Sequence, residues 1–522
     1  MARNVSDAFD SNQVSVVEAG TGTGKSLAYL IPAILWAVRN QQKVVISTNT
    51  INLQEQLVKK DIPFLQRNSS TEFYACLVKG RGNYLCLRKM DTAVAEPTLF
   101  PDSSSQEIEA IANWSQTTRT GCLSDISFQP SREVWDDLRC EADQCLRSKC
   151  PRYGSCFFYK ARRDAASADI LVANHALLLA DIALRRETGY DTTAILPQFT
   201  RLVIDEAHHL EEAATKALSA RINRAGLMQQ LSRLVPSGNR AGILSLLNSQ
   251  ITRLLPEEHE GLYHEISAVI EAALMPQTHE LAAVIDREFD WLALTMTTGL
   301  MPADDSRTGE IKMRIKAETR ETRFWDELSE RLSQTVTKLQ ELSAGLGALD
   351  RAASKLPEQV RQAVDGLLTD AFGIGLRLSA AGRELAWFCE EDDETCRWLE
   401  ARRTAKGGLQ ATVCASPLEV AETIKEAVLD PIPTVILTSA TLTVGGSFSY
   451  LKRRTGLDLL DAERLSELAL ASPFDYSSQA LVGIPTDLPD PTTNAFHTPF
   501  TETVLKAVSL SEGGTFILFT SF

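Results

Sequence analysis

No stretch of this sequence stays apolar long enough to cross a bilayer. The longest such run, Leu27 to Val38, is interrupted by Pro32 and falls short of the roughly 20 residues that a spanning helix needs. A secretory leader is also missing: Met1 to Ser15 is polar and carries Asp7 and Asp10. Internal repeats and low-complexity tracts are absent, which excludes solenoid and propeller architectures. Positive charge is in deficit, with a net charge of −15 over 522 residues. That excludes a protein basic over its whole surface but leaves room for a local basic groove. The ten cysteines, seven of them between Cys76 and Cys156, are too few and too clustered for a secreted disulfide scaffold. They point to metal or cluster binding in the cytoplasm. What remains is ordinary globular composition, 44% apolar and 23% charged, enough for about three domains.

The run Ala19-Gly20-Thr21-Gly22-Thr23-Gly24-Lys25-Ser26 follows the apolar Val14, Val16 and Val17 and leads into the segment from Leu27 to Val38. Strand, glycine-rich loop and helix form the setting that a phosphate-binding loop requires. Glycines let successive backbone N–H groups turn inward around phosphate, and the helix N-terminus adds partial positive charge. Lys25 would reach the β- and γ-phosphates of ATP, and the Ser26 hydroxyl would sit on Mg²⁺. Ala19 replaces the first glycine of the usual pattern.

Four β-branched runs read as buried parallel strands: Val44-Val45-Ile46, Ile170-Leu171-Val172, Leu202-Val203-Ile204 and Val435-Ile436-Leu437. With the strand before the phosphate loop they predict one α/β sheet whose chemistry lies at the strand C-termini. Each run ends in a polar group: Ser47-Thr48, Ala173-Asn174-His175, Asp205-Glu206 and Thr438-Ser439-Ala440-Thr441. Asp205-Glu206-Ala207-His208 suits ATP hydrolysis. Asp205 can hold Mg²⁺ opposite Ser26, and Glu206 can orient and deprotonate the attacking water. An acidic helix start would look the same in isolation, but the phosphate loop upstream favours the catalytic reading.

In combination these motifs resemble a superfamily 2 helicase, in which an alanine at the first glycine position is common and the Ser-Ala-Thr element couples nucleotide state to movement. Lys79-Gly80-Arg81-Gly82-Asn83-Tyr84-Leu85-Cys86, Ala173-Asn174-His175, Asp205 to His209, Thr438 to Leu442 and Ser472-Pro473-Phe474 narrow the resemblance to DinG/XPD-like DNA helicases, the bacterial DinG branch above all. The resemblance implies a RecA-like P-loop motor domain with two insertions and the start of a second motor domain. The boundaries it suggests are 1–75, 169–211 and 411–454 for the first motor domain, 76–168 for an iron–sulfur insertion, 212–410 for a helical arch, and 455–522 for the truncated second motor domain. That last segment includes a strand-like run from Thr515 to Phe519. The implied catalytic set is Lys25, Asp205, Glu206 and His208. Implied partners are single-stranded and forked or duplex DNA, with a single-strand-binding protein as a further partner, for a monomer that moves 5′→3′ away from any membrane. An RNA-directed motor of the same superfamily, or a nucleotide- and DNA-binding fragment without full motor activity, are the alternatives. Missing glutamine and arginine motifs at the two ends suggest a piece of a longer protein.

Cys145-x4-Cys150-x5-Cys156 offers three thiolates within twelve residues, and a fourth must come from Cys86 or Cys140. Spacing alone does not separate Zn²⁺ from an iron–sulfur cluster. The resemblance does, implying a [4Fe–4S] cluster on Cys86, Cys145, Cys150 and Cys156. From Gln144 to Arg163 the sequence holds Arg147, Lys149, Arg152, Lys160, Arg162 and Arg163 and no acid, interleaved with Tyr153, Phe157, Phe158 and Tyr159. Such a segment can track phosphates and stack unpaired bases, although Phe157 and Phe158 also suit a small core. Thr48, Asn49 and Gln54 lie where related helicases touch the nucleic-acid backbone, and they equally suit an N-cap and first helical turn. The spacing of Trp325, Leu328, Leu332, Val336, Leu339, Leu342, Leu346 and Leu349 predicts the core stripe of a long helix. Glu390 to Glu394 reads as a solvated loop.

Overall fold

The structure is a computed structural model that describes the chain apart from residues 97–103, 191–192, 237–240, 299–309, 404–407, 492 and 519–522. Two compact units result, Met1–Ala471 and Ser472–Phe522.

The β-branched runs form a parallel sheet at the heart of the first unit. Its strands are β1 (Val14–Ala19), β2 (Val44–Thr48), β3 (Ala75–Leu77), β4 (Ile170–Asn174) and β5 (Arg201–Asp205), with two further strands from later in the chain. Four strands of a separate antiparallel sheet intervene: β6 (Ala220–Asn223), β7 (Glu310–Arg314), β8 (Thr395–Arg403) and β9 (Leu409–Pro417). The parallel sheet then closes with β10 (Thr434–Ser439) and β11 (Leu465–Leu470), giving the order β11-β1-β10-β5-β2-β4-β3. Side chains alternate along each strand, so the sheet feeds two cores. Val14, Val16, Val45, Leu202, Ile204 and Leu437 enter one, and Val44, Ile46, Ile170, Val172, Val203 and Ile436 enter the other. Because both faces are buried, the strands read as continuous apolar runs.

Two expectations shift here. The second motor domain was expected from residue 455, yet β11 belongs to the first sheet and runs parallel to β1 from Val14↔Leu465 to Ala19↔Leu470. The boundary therefore falls at Ala471. This edge strand mixes Ser466 and Glu467 with leucines, because the edge of a sheet tolerates polar residues. In the second unit Thr515 to Leu518 forms no strand, and Phe516 and Leu518 are exposed. A strand needs a hydrogen-bonded neighbour, and the described residues of that unit provide none; Phe519 lies outside the described residues.

The second insertion, expected to be helical, is a mixed module. Its four strands pair in the order β6-β9-β8-β7, and β9 runs through the expected boundary at residue 410. β8 and β9 bury Arg397, Glu400, Thr412 and Ser416 among their apolar residues, so they lack the unbroken apolar runs that mark the parallel strands. The helices Arg323–Ala353 and Glu358–Cys389 pack as a hairpin against this sheet. All of the expected stripe is buried there except Val336, which is partly buried. The acidic run after the hairpin is not wholly solvated: Asp392 pairs with the fully buried Arg397.

The cysteine-rich insertion has a small core of its own, in which Tyr84, Leu85, Ile111, Trp135, Leu138, Phe157 and Phe158 meet. A charged clamp fastens it to the second insertion. Arg88 bonds Asp370 through both terminal nitrogens, at 3.1 and 2.6 Å, and Glu141 meets Lys89 at 2.5 Å and Arg377 at 2.9 Å.

Candidate nucleotide site and cysteine cluster

β1, β10 and β5 are successive parallel strands, so the phosphate loop, the Ser-Ala-Thr turn and the acidic pair follow neighbouring strand ends. Gly22 and Gly24 adopt φ of 82° and 74°, a region that L side chains enter only at a cost. Gly24 caps the helix Lys25–Asn40. Lys25 Nζ lies 3.1 Å from Asp205 Oδ1 and 2.8 Å from Glu206 Oε1. Burial alone would lower the Lys25 pKa, but the two carboxylates outweigh it and hold the ammonium charged. Burial lifts the Asp205 carboxyl above its ordinary range. Glu206 is also pushed up by burial, but bonds from Lys25 and Ser439 carry it below the usual value.

Glu206 itself has φ 53°, a left-handed conformation that costs a non-glycine residue about 1–2 kcal/mol. Its amide is held by Asp205 Oδ1 at 3.0 Å. Ser439 Oγ donates to Glu206 Oε2 at 3.1 Å and lies 2.6 Å from His208 Nδ1. Lysine thus holds one oxygen of the glutamate and serine the other. His208 is lowered by burial and by its neighbour His209.

His175 is buried and lies 2.7 Å from Ser47 Oγ through Nδ1. Burial pushes its pKa down to about 4, so it is a neutral hydrogen-bonding group. With Asn49 and Asn174 it lines a cavity of about 640 Å³ at the ends of β2 and β4. The helix that follows β2 is capped by Thr50, which accepts from the Leu53 amide at 3.3 Å. Thr48 and Asn49 therefore precede the cap, and Thr48 is fully buried at the strand end. Gln54 is buried too.

A short antiparallel ladder brings the cysteines together. Cys86 N donates to Leu138 O at 2.9 Å and Cys140 N to Tyr84 O at 2.8 Å, placing both residues on one face. The Cys140 thiol lies against the sulfurs of Cys86 and Cys156; this contact comes first in drawing both down to about 6, and it keeps Cys140 protonated. Cys145 Sγ is 3.9 Å from the Tyr159 hydroxyl. Burial raises Cys150, which senses the charges of Cys86 and Cys145. Among the described residues no three of His, Cys, Asp or Glu are already drawn in around a metal position. The donor chemistry nevertheless suits a cluster, since the Cys140 thiol meets those of Cys86 and Cys156 and both of these are shifted toward the thiolate that ligates.

Of the basic segment, Arg152 is paired with Asp91 at 2.6 Å, and Arg162 stacks 4.7 Å from the Phe158 ring and donates to Lys79 O. Arg147, Lys149, Lys160 and Arg163 are exposed, as is Tyr153, whose ring is 4.7 Å from Tyr159. Phe157 and Phe158 are core. Arg81 and Glu18 belong to the motifs that carry the resemblance, but the sequence assigned neither a contact: Arg81 stacks 3.8 Å over Phe158 and Glu18 bonds the turn after β10, while Tyr29, bonded to Asp205, went unremarked.

Comparison with known proteins adds to this picture. The DEAD/DEAH box helicase family model matches residues 2–112, and the DEAD_2 model matches residues 127–227. The chain is 28% identical over 526 residues to the ATP-dependent DNA helicase YoaA of Haemophilus influenzae, covering all of this chain and 70% of that protein. It is 29% identical to the ATP-dependent DNA helicase DinG of Photobacterium profundum, covering 98% of this chain and 70% of the relative. A third relative, the 3′-5′ exonuclease DinG of Bacillus subtilis, is 27% identical, with 94% of this chain and 50% of that protein aligned. A solved XPD helicase aligns with 90% of this chain and 60% of its own at a TM-score of 0.39 and 12% identity.

Proposed function

We propose that the chain is a DinG-like ATP-dependent DNA helicase that moves 5′→3′ on single-stranded DNA, a reading that its similarity to the DEAD/DEAH box helicase model and to the YoaA and DinG helicases supports. The observation that carries this reading is the meeting of Lys25 with both Asp205 and Glu206 at 3.1 and 2.8 Å, with Ser439 bonded to the same glutamate.

In the proposed cycle the amides of residues 20–26 and the Lys25 ammonium bind the triphosphate. Ser26 and Asp205 would hold Mg²⁺, which when bound neutralises charge on the transferring phosphoryl group. The triphosphate competes with Glu206 for Lys25. As the lysine turns to phosphate, Glu206 is freed to orient water and accept its proton. Ser439 keeps the other carboxylate oxygen in place and passes the change to the turn after β10, with His208 on its far side.

Cys86, Cys145, Cys150 and Cys156 would hold a [4Fe–4S] cluster, which when bound supplies a tie between distant segments of the insertion. The exposed Arg147, Lys149, Lys160 and Arg163 then give the strand's phosphates a track, and Tyr153 offers a face for an unpaired base. The test is ATP hydrolysis with and without single-stranded DNA, together with strand separation on forked duplexes bearing either a 5′ or a 3′ tail. Stimulation by DNA and unwinding only from the 5′ tail are expected. Hydrolysis indifferent to DNA, or stimulated by RNA alone, would sink the reading.

A further inference from the structure

Glu18 is the last residue before the phosphate loop, and nothing in the hydrolytic scheme uses it. Its carboxylate reaches across the sheet edge to the turn that follows Ser439-Ala440-Thr441. Oε2 accepts from the amides of Leu442 and Thr443, both at 2.6 Å, and Oε1 accepts from the Thr443 hydroxyl at 3.0 Å. In the parallel ladder Glu18 is the register partner of Ser439, so the two side chains leave their strands at the same level. The bonds hold the carboxyl below its usual range against the effect of burial.

Such an arrangement is more than packing requires. Leu442 is already buried in the core, and the turn is closed independently by the Val444–Ser447 bridge with Gly445 and Gly446 at positive φ. A charged acceptor on two adjacent amides is a strong and directional tie. Here it joins the base of the nucleotide loop to the turn beyond Ser439, and Ser439 in turn holds Glu206.

We propose that Glu18 is a positioning residue that makes the turn at residues 440–443 respond to nucleotide seated on the loop at residues 19–26. This rests on the helicase reading and names the connection by which its two halves are coupled. Movement of the loop displaces the end of β1, Glu18 carries the displacement to the Leu442 and Thr443 amides, and Ser439 moves with them. The function lies in the hydrogen bonds and not in the charge, because one oxygen serves both amides.

Three substitutions test this. Glu18→Ala removes all the bonds, Glu18→Asp keeps the charge but draws it back by one methylene, and Glu18→Gln can present its amide oxygen where Oε2 stands. Hydrogen exchange at Leu442 and Thr443, with and without a non-hydrolysable ATP analogue and Mg²⁺, reads the connection directly. The analogue is expected to change exchange at those two amides about tenfold in the unmodified chain and in Glu18→Gln, and to leave it unchanged in Glu18→Ala and Glu18→Asp. Basal ATP hydrolysis is expected to stay within about threefold in all, while the ratio of DNA-stimulated to basal hydrolysis falls about tenfold only in the alanine and aspartate variants. An analogue effect that survives in Glu18→Asp, or a Glu18→Gln protein as defective as the alanine variant, would overturn the proposal. If the unmodified chain shows no DNA stimulation, the helicase reading fails instead, and the exchange measurement still decides the role of Glu18.

Discussion

Tyr29 donates its phenolic proton to Oδ2 of Asp205 across 3.0 Å, from a ring with no solvent exposure. The Ser26 hydroxyl lies in hydrogen-bond contact with the same phenol. The two groups proposed to share Mg²⁺ are therefore spaced by one buried tyrosine, whose own proton is locked on by burial and by the charge of Asp205. Tyr29→Phe is expected to cost about 1–2 kcal/mol, because a buried carboxylate oxygen is left without its donor. It should raise the half-saturating Mg²⁺ concentration for hydrolysis several-fold while leaving kcat at saturating Mg²⁺ nearly unchanged. Thermal melts and a magnesium titration check both.

Glu206→Gln is expected to lower hydrolysis by about a hundredfold or more, since the amide cannot take a proton from water. Nucleotide affinity should stay within a few-fold, because Lys25 and the loop amides remain. Undiminished turnover, measured beside fluorescent-nucleotide binding, would remove Glu206 from the role given to it.

The buried His175 gives stability a pH dependence of definite sign. In the unfolded chain its imidazole titrates near 6.5, and in the fold near 4. Between those values the unfolded chain binds the proton and the folded one does not. Its contribution is therefore whole above about pH 6.5 and is lost as the pH falls toward 4, a change of about 3 kcal/mol. Urea midpoints at pH 7 and pH 5 should fall further for the unmodified chain than for His175→Gln.

Arg88 and Asp370 form a nearly buried two-pronged pair between the cysteine-rich insertion and the second insertion. Arg88→Met leaves Asp370 charged and unpaired, at an expected cost of about 3–5 kcal/mol. The double change Arg88→Met with Asp370→Leu should recover most of it. Denaturant unfolding of the unmodified chain, Arg88→Met, Asp370→Leu and the double variant measures the difference.

Cysteine substitutions separate the ligands from their neighbour. Protein purified without oxygen is expected to carry iron and inorganic sulfide. Cys86→Ser, Cys145→Ser, Cys150→Ser and Cys156→Ser should each lose most of it, and Cys140→Ser should retain it. Iron assay and visible absorption suffice. Loss of iron on Cys140→Ser, with retention on Cys86→Ser, would transfer the fourth ligand to Cys140.

The parallel sheet was legible because strands buried on both faces are apolar without interruption, as Val44-Val45-Ile46 shows. The acidic pair and the phosphate loop were legible because phosphate chemistry dictates their residue types. Edge elements escaped: β3 has three half-buried residues, and β11 carries polar side chains that only its pairing with β1 explains. The sheet β6 to β9 escaped for another reason. β6 and β7 lie far in sequence from the strands they pair with, and a short piece such as Ala220–Asn223 becomes a strand only through its partner. Of the supporting residues, Tyr29 and Glu18 act through distances that no spacing announces.

β6 and β9 also mark the two ends of the second insertion. Ala220 is the ladder partner of Ala415, and Ser219 Oγ donates to Ser416 Oγ at 2.9 Å. The polypeptide thus departs from the parallel sheet and comes back through one doorway, so the second insertion is an appendage on a closed stem and not a link in the sheet's own wiring. A tight hairpin closing that doorway would let the attachment be lifted off or exchanged for one of another length, leaving the engine beneath it with its strand order intact.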